Sequence, residues 1–132
     1  MAKRFKNKKI LIIEDDADIR NFAMRVLELE GYDVLQAETG HEGLRLARES
    51  KVNLVLLDLR LPDDSGCVIL EQVKSEPIIS AVPVIVFTAS IGEPQKERAL
   101  GRGAADYLVK SLGANDLKNA VARVLRRTSN PA

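Results

Sequence analysis

The chain has no tryptophan, and its three phenylalanines and two tyrosines make up only 4% of 132 residues. Its core must therefore be built from aliphatic side chains. Only one cysteine, Cys67, is present, so no disulfide can form within the chain, which suits a reducing cytoplasm. No apolar run approaches the roughly 20 residues that span a bilayer. The run from Ile10 to Ile13 is too short for the apolar segment of an export signal, and no small-residue cleavage site follows it. The sequence predicts neither export nor membrane insertion, and a cytoplasmic location.

What is present is ordinary for a globular domain: 45% hydrophobic and 30% charged residues. The length fits one domain with a core that needs no disulfide or structural metal. The net charge of +1 conceals an asymmetry. Lys3, Arg4, Lys6, Lys8 and Lys9 stand at the start with no acid among them, whereas the remainder holds 15 basic and 19 acidic residues. Residues 1–8 read as a solvated basic tail. A nucleic-acid arm is the sharper alternative, but no aromatic beyond Phe5 interleaves the charges. No direct nucleic-acid binding is expected.

Apolar runs alternate with helix-period stretches throughout. Lys9 to Glu14 is a short β-branched run, and Asp16 to Glu30 carries Ile19, Phe22, Ala23, Val26 and Leu27 at the spacing of one helix face. Asp16 is a natural N-cap, and Gly31 a natural stop. Further strands are expected over Tyr32–Ala37, Asn53–Leu57, Pro83–Phe87 and Asp106–Val109. Helices are expected from the Thr39/Glu42 capping box to about Ser50, and from a Ser65 cap to Glu76. Two more should run from Pro94 to the Gly101/Gly103 pair and over Asn115–Arg127. Strict alternation of this kind predicts parallel strands with helices on both faces. The first, third and fourth strands are almost wholly apolar, whereas the second and fifth mix in polar residues as edge strands do. This pattern fits the order 2-1-3-4-5, a flavodoxin-like doubly wound three-layer sandwich over residues 9–127, with 128–132 as a short polar tail.

In such sheets ligands bind beyond the carboxyl ends of the strands, at the switch point beside strands 1 and 3. Strand 1 ends in Glu14, Asp15 and Asp16, strand 3 in Asp58, strand 4 in Thr88 and strand 5 in Lys110. Several carboxylates in one crevice repel one another and need positive charge beside them. Lys110 supplies one charge. A divalent cation is the natural second, and all-oxygen donors with no His or Cys among them select a hard ion such as Mg²⁺. Asp16 and Asp18 read as helix-capping acids instead. An acid closing the run Leu54–Leu57 has no role in the fold.

Four segments carry a family resemblance: KILIIEDDADIR (Lys9–Arg20), LVLLDLRLPDDSG (Leu54–Gly66), VPVIVFTA (Val82–Ala89) and GAADYLVK (Gly103–Lys110). Together, in this order and spacing, they resemble the receiver domain of bacterial two-component response regulators, from Lys8 to Arg127. The resemblance implies that Asp58 accepts a phosphoryl group from a sensor histidine kinase or phosphotransfer protein, in a Mg²⁺-dependent step. It implies that Glu14 and Asp15 place the metal, together with Asp58 and the backbone carbonyl of Arg60. Thr88 and Lys110 would bind the phosphoryl oxygens, and Thr88 with the aromatic Tyr107 would form the switch. The surface of helix 4, strand 5 and helix 5 would then change shape for an unidentified downstream protein or for a phosphorylation-dependent homodimer.

Such a chain is a phospho-acceptor signalling domain with slow self-dephosphorylation, not an enzyme. A Mg²⁺-dependent phosphohydrolase with an aspartyl nucleophile is the alternative, but those enzymes usually place a second Asp two residues on, where Arg60 stands. A phosphorylation-independent interaction module is the third reading, against which the complete residue set argues. The family usually has Pro after its lysine. Here Ser111 follows Lys110, and a trans Lys110–Ser111 bond is expected because a non-proline cis bond costs about 3–4 kcal/mol. His41 reads as a surface residue, and Cys67 as a small buried one at a helix start.

Overall fold

All four strand pairings among the described residues are parallel. They were obtained from a computed structural model that describes residues 7–63, 66–89, 93–110 and 113–129. The strands are β1 (Lys9–Ile13), β2 (Asp33–Ala37), β3 (Leu54–Leu57), β4 (Val84–Thr88) and β5 (Asp106–Val109). The helices between and after them are α1 (Ala17–Leu29), α2 (Gly40–Glu49), α3 (Gly66–Ser75), α4 (Glu93–Gly101) and α5 (Ala114–Ser129). The sheet order is β2-β1-β3-β4-β5, as the distribution of polar residues predicts. The Ser65 cap, the Lys110–Ser111 bond and most of the basic tail lie outside the described residues.

The alternation of side chains along a strand divides the core into two layers. Leu11, Ile13, Val55, Leu57, Val84 and Val86 face Leu44 and Ala47 of α2, Ile69, Leu70 and Val73 of α3, and Ala99 of α4. Ile10, Ile12, Leu54, Leu56, Ile85 and Phe87 face Ala23 and Leu27 of α1 and a run of five residues on α5, from Leu117 to Leu125. β1, β3 and β4 are thus covered on both faces, which is why their sequences are continuous apolar runs. Burying each large aliphatic side chain stabilises the fold by about 1.5–3 kcal/mol. An exposed ion pair such as Arg45–Glu49 contributes far less.

Helix ends follow their capping chemistry. Asp16 Oδ1 accepts from the N–H groups of Asp18 (2.9 Å) and Ile19 (3.2 Å). Thr39 Oγ1 accepts from Glu42 N–H at 3.1 Å. After α1, Gly31 takes φ 92°, and after α4, Gly103 takes φ 106°, backbone conformations that glycine adopts without steric cost. α5 runs two residues beyond the Arg127 end read from its apolar stripe, and Thr128 Oγ1 donates back to the Leu125 carbonyl at 3.2 Å.

Two helix-face expectations are corrected. Phe22, expected inward on α1, is 40% exposed, while Arg20 is 9% exposed. Arg20, Ala23 and Leu27 lie at i, i+3 and i+7, so the buried stripe of α1 is rotated away from Phe22 and ends in a charged residue. Cys67 is half-buried rather than buried, because the inward positions of α3 fall to Ile69, Leu70 and Val73.

Two loop contacts tie the turn after β3 to its surroundings. A Cβ on Gly66 would stand 2.3 Å from the Asp58 carbonyl oxygen and 2.5 Å from Leu59 Cα, so α3 can start here only without a side chain. Asp63 reaches across to α2, where its two oxygens accept from the N–H groups of Gly40 (2.8 Å) and His41 (2.9 Å). It thereby satisfies two orphan donors of a helix 23 residues away in sequence. These donors, His41 N–H foremost, hold the Asp63 carboxyl below the usual carboxylate range, with the His41 side chain adding to the effect.

Gly66→Ala should lower stability by about 1–3 kcal/mol, since both clashing partners are backbone atoms. Urea denaturation with an unchanged m-value checks this. Asp63→Ala should cost about 1 kcal/mol at neutral pH, the usual loss for a helix cap. Because the folded carboxyl is depressed, its contribution is fully present above its unfolded pKa and disappears as pH falls through the folded value. The gap between wild type and variant in urea midpoint should therefore close in strongly acid solution.

Candidate functional site

The sheet hydrogen bonding continues past the strand ends and fixes the residues that follow them. Glu14 N–H donates to the Ala37 carbonyl (3.0 Å), Asp58 N–H to that of Ile13 (3.0 Å) and Lys110 N–H to that of Thr88 (2.8 Å). Glu14, Asp58, Thr88 and Lys110 thus stand on rigid backbone at one rim, rather than on free loop. Among the described residues the buried polar or charged ones are Glu14, Arg20, Asp58 and Thr88. Polar burial is costly unless it is compensated or used, and here it is concentrated at this end of the sheet.

Lys110 organises the crevice. Its Nζ lies 2.6 Å from Glu14 Oε1 and 3.1 Å from Asp58 Oδ2. Its approach to Asp58 has hydrogen-bond geometry, and its shorter approach to Glu14 is a buried ion pair. The other Glu14 oxygen accepts from Asp16 N–H at 3.1 Å. Asp58 Oδ1 accepts from Arg60 N–H at 3.2 Å, so the chain after β3 curls back over the acid.

Burial pushes the Glu14 carboxyl up to about 7, against the lowering by Lys110 and the Asp16 N–H, and the nearby Asp58 pushes the same way as burial. For Lys110, burial works against the charged form, but hydrogen bonding and charge from Glu14 and Asp58 outweigh it and raise its pKa. One lysine therefore serves two buried acids, and the crevice is short of positive charge.

A cation fits this arrangement. One carboxylate oxygen from each of Glu14, Asp15 and Asp58 lies within 4.8 Å of the others, and Asp15 is exposed at the mouth. Two buried carboxylates sharing one ammonium, an open Asp15 and an all-oxygen donor set suit a hard divalent ion that keeps several of its waters.

The residues named from sequence are brought together at the rim, with Tyr107 two strand positions inward of the Thr88 level. Thr88 is fully buried at the end of β4. Tyr107 is 8% exposed and packs in the layer formed with α2, α3 and α4. Its phenol is pushed up by burial and by neighbouring Cys67. Two residues escaped the sequence reading. Asp63 joins the β3–α3 turn to α2. Arg20 donates from Nη1 to the Glu14 carbonyl at 2.8 Å, directly behind the acidic turn. The one signal for Arg20 was its i, i+3, i+7 relation to Ala23 and Leu27.

A match to the response regulator receiver domain family spans residues 10–122. The KDP operon transcriptional regulatory protein KdpE of Escherichia coli (strain K12) is 42% identical over 120 residues, covering 91% of this chain and 52% of that protein. The chain thus spans about half the length of this relative. A CheY-like response regulator receiver domain protein from Methanospirillum hungatei JF-1 superimposes with a TM-score of 0.86 at 31% identity, over 93% of this chain and 97% of that one. The Mn²⁺-bound form of response regulator Rcp1 superimposes with a TM-score of 0.75 at 25% identity, over 95% and 97% of the two chains. The fold, the extent of the sequence match and the named relatives agree: the chain belongs to the response regulator receiver domain family.

Proposed function

We propose that the crevice takes a phosphoryl group onto Asp58 from a phosphohistidine donor, with a divalent cation, Mg²⁺, held by Asp15, Asp58, the Arg60 carbonyl and, through water, Glu14. The observation that carries this reading is the Lys110 ammonium, poised between the Asp58 and Glu14 carboxylates within one group of three acids. The Mn²⁺-bound neighbour of the same fold supports a divalent ion in it.

The chain's residues divide the work. An ionised Asp58 is its own nucleophile and needs no general base. As the phosphorus–nitrogen bond of the donor breaks, a bond forms from phosphorus to an Asp58 oxygen, and the product is an acyl phosphate. Lys110 turns from the carboxylates to the incoming phosphoryl oxygens, which carry the same charge at greater density. A bound Mg²⁺ supplies further positive charge at the transferring oxygens. Arg60 N–H holds one Asp58 oxygen and so sets the direction from which the other can attack.

The product adds about −1.5 to −2 charges at a buried rim if it titrates as other phosphoryl groups do. Thr88, one strand over from Asp58, supplies the hydroxyl that moves toward it. Because Thr88 belongs to β4 and Tyr107 to its neighbour β5, a shift of the first leaves or removes room for the second. The outer surface of α4, β5 and α5 follows, with Asp106 joined to Arg123 of α5 at 2.8 Å. Such coupling is a two-state equilibrium biased by one charge event. It is read by a protein partner or by a second copy of the chain.

Incubation with acetyl phosphate and Mg²⁺ should add one phosphoryl mass to the intact protein. Asp58→Asn, or chelation of the metal with EDTA, should abolish the gain, and a label that persists in Asp58→Asn would sink the assignment. Lys110→Ala should slow phosphorylation by roughly 10²-fold or more, the usual loss when a preorganised charge at a reacting oxygen is removed. The time course of the same mass shift measures this.

A further inference from the structure

The turn from β1 to α1 consists of Glu14, Asp15 and Asp16, and two of these three acids are candidate cation ligands. Its ends are held by the sheet at Glu14 and by the Asp16 cap. The Asp15 carboxylate has no hydrogen bond to any described residue, so its direction depends on the backbone beneath it. One side chain grips that backbone. Arg20 Nη1 donates to the Glu14 carbonyl at 2.8 Å and approaches the Asp15 carbonyl at 3.4 Å. Its Nε donates to Gln36 Oε1 of β2 at 3.0 Å, and its Nη2 to Glu38 Oε1, just beyond β2, at 3.3 Å.

This use of a buried charge has a cost. The one acid paired with Arg20, Glu38, has a side chain 69% exposed, so it offsets little of the desolvation of the guanidinium. An apolar residue at this place would complete the α1 face beside Ala23 and Leu27. What the guanidinium adds is geometry: five donors in one plane can hold successive carbonyls on one side and β2 on the other, which neither lysine nor an aliphatic chain can do.

We propose that Arg20 is a positioning residue for the cation, a guanidinium brace that holds the Glu14–Asp15 backbone against β2 so that the two carboxylates face the metal. The inference rests on the Mg²⁺ reading of the crevice given above. Outer contacts that orient ligands commonly govern metal affinity by 10–100-fold.

The test is the Mg²⁺ dissociation constant of the full chain, measured by isothermal titration calorimetry beside the thermal midpoint. Four proteins are compared: wild type, Arg20→Lys, Arg20→Met and Val73→Ala. Val73 lies in the core layer on the other face of the sheet, so its truncation lowers stability without touching the turn. Arg20→Met should weaken Mg²⁺ binding on the order of tenfold, with Arg20→Lys intermediate. Val73→Ala should hold the wild-type affinity within about twofold, as expected for a distant site, despite its lower midpoint.

Wild-type affinity in both Arg20 variants would overturn the proposal. So would an equal loss in Val73→Ala, which would reduce Arg20 to a stability role. Should Arg20→Met not fold, Arg20→Lys decides alone. A wild type that binds no Mg²⁺ would instead remove the cation reading itself, and the brace with it.

Discussion

The site depends on one ammonium group shared between two buried acids. Lys110 stands within ion-pair distance of both Glu14 and Asp58, and it reaches them from the far edge of the sheet. Without it, two carboxylates would be buried side by side with no counter-charge. With it, the crevice holds together but remains electrostatically incomplete, because one ammonium faces a group of three acids and burial still raises the Glu14 pKa. That incompleteness is functional in the proposed account, because a fully neutralised pocket would have little to offer a cation or an incoming phosphoryl group.

The rest of the fold delivers these groups to one place. Parallel strands bring all their carboxyl ends to one rim, and the continuation of the ladder by one residue places Glu14, Asp58 and Lys110 on rigid backbone. α3 can begin close behind Asp58 because Gly66 has no side chain. Asp63 fastens the same turn to α2, and Arg20 fastens the acidic turn to β2. The segments that carry the acids are therefore tied to neighbours on both sides. This suits a switch in which the charge changes while the frame stays fixed.

Much of this was legible in sequence, for a physical reason. A strand covered on both faces must be apolar, so the polar residue that ends it marks both the strand end and the rim. Glu14, Asp58 and Thr88 each follow or close such a run, Lys110 follows β5, and β2 and β5 identify themselves as edges by their mixed composition. Helix faces were less legible. Phe22 matched the expected apolar stripe of α1 yet is 40% exposed, while Arg20 occupies the buried face, where Nη1 meets the Glu14 and Asp15 backbone carbonyls. A backbone acceptor leaves no mark in a sequence. Asp63 escaped for the same reason, since its partners are N–H groups of a helix remote in the chain. Cys67 is half-buried because the inward positions of α3 fall to Ile69, Leu70 and Val73.

The central claim is that the acidic rim around Lys110 is a cation site. Titration of Mg²⁺ into ¹⁵N-labelled protein, followed amide by amide, tests it most directly. The account predicts saturable shifts concentrated at Glu14, Asp15, Asp58 and Arg60, with weaker ones at Thr88 and Lys110. Shifts that are absent, or that spread over the outer helix surfaces without a maximum at this rim, would contradict it.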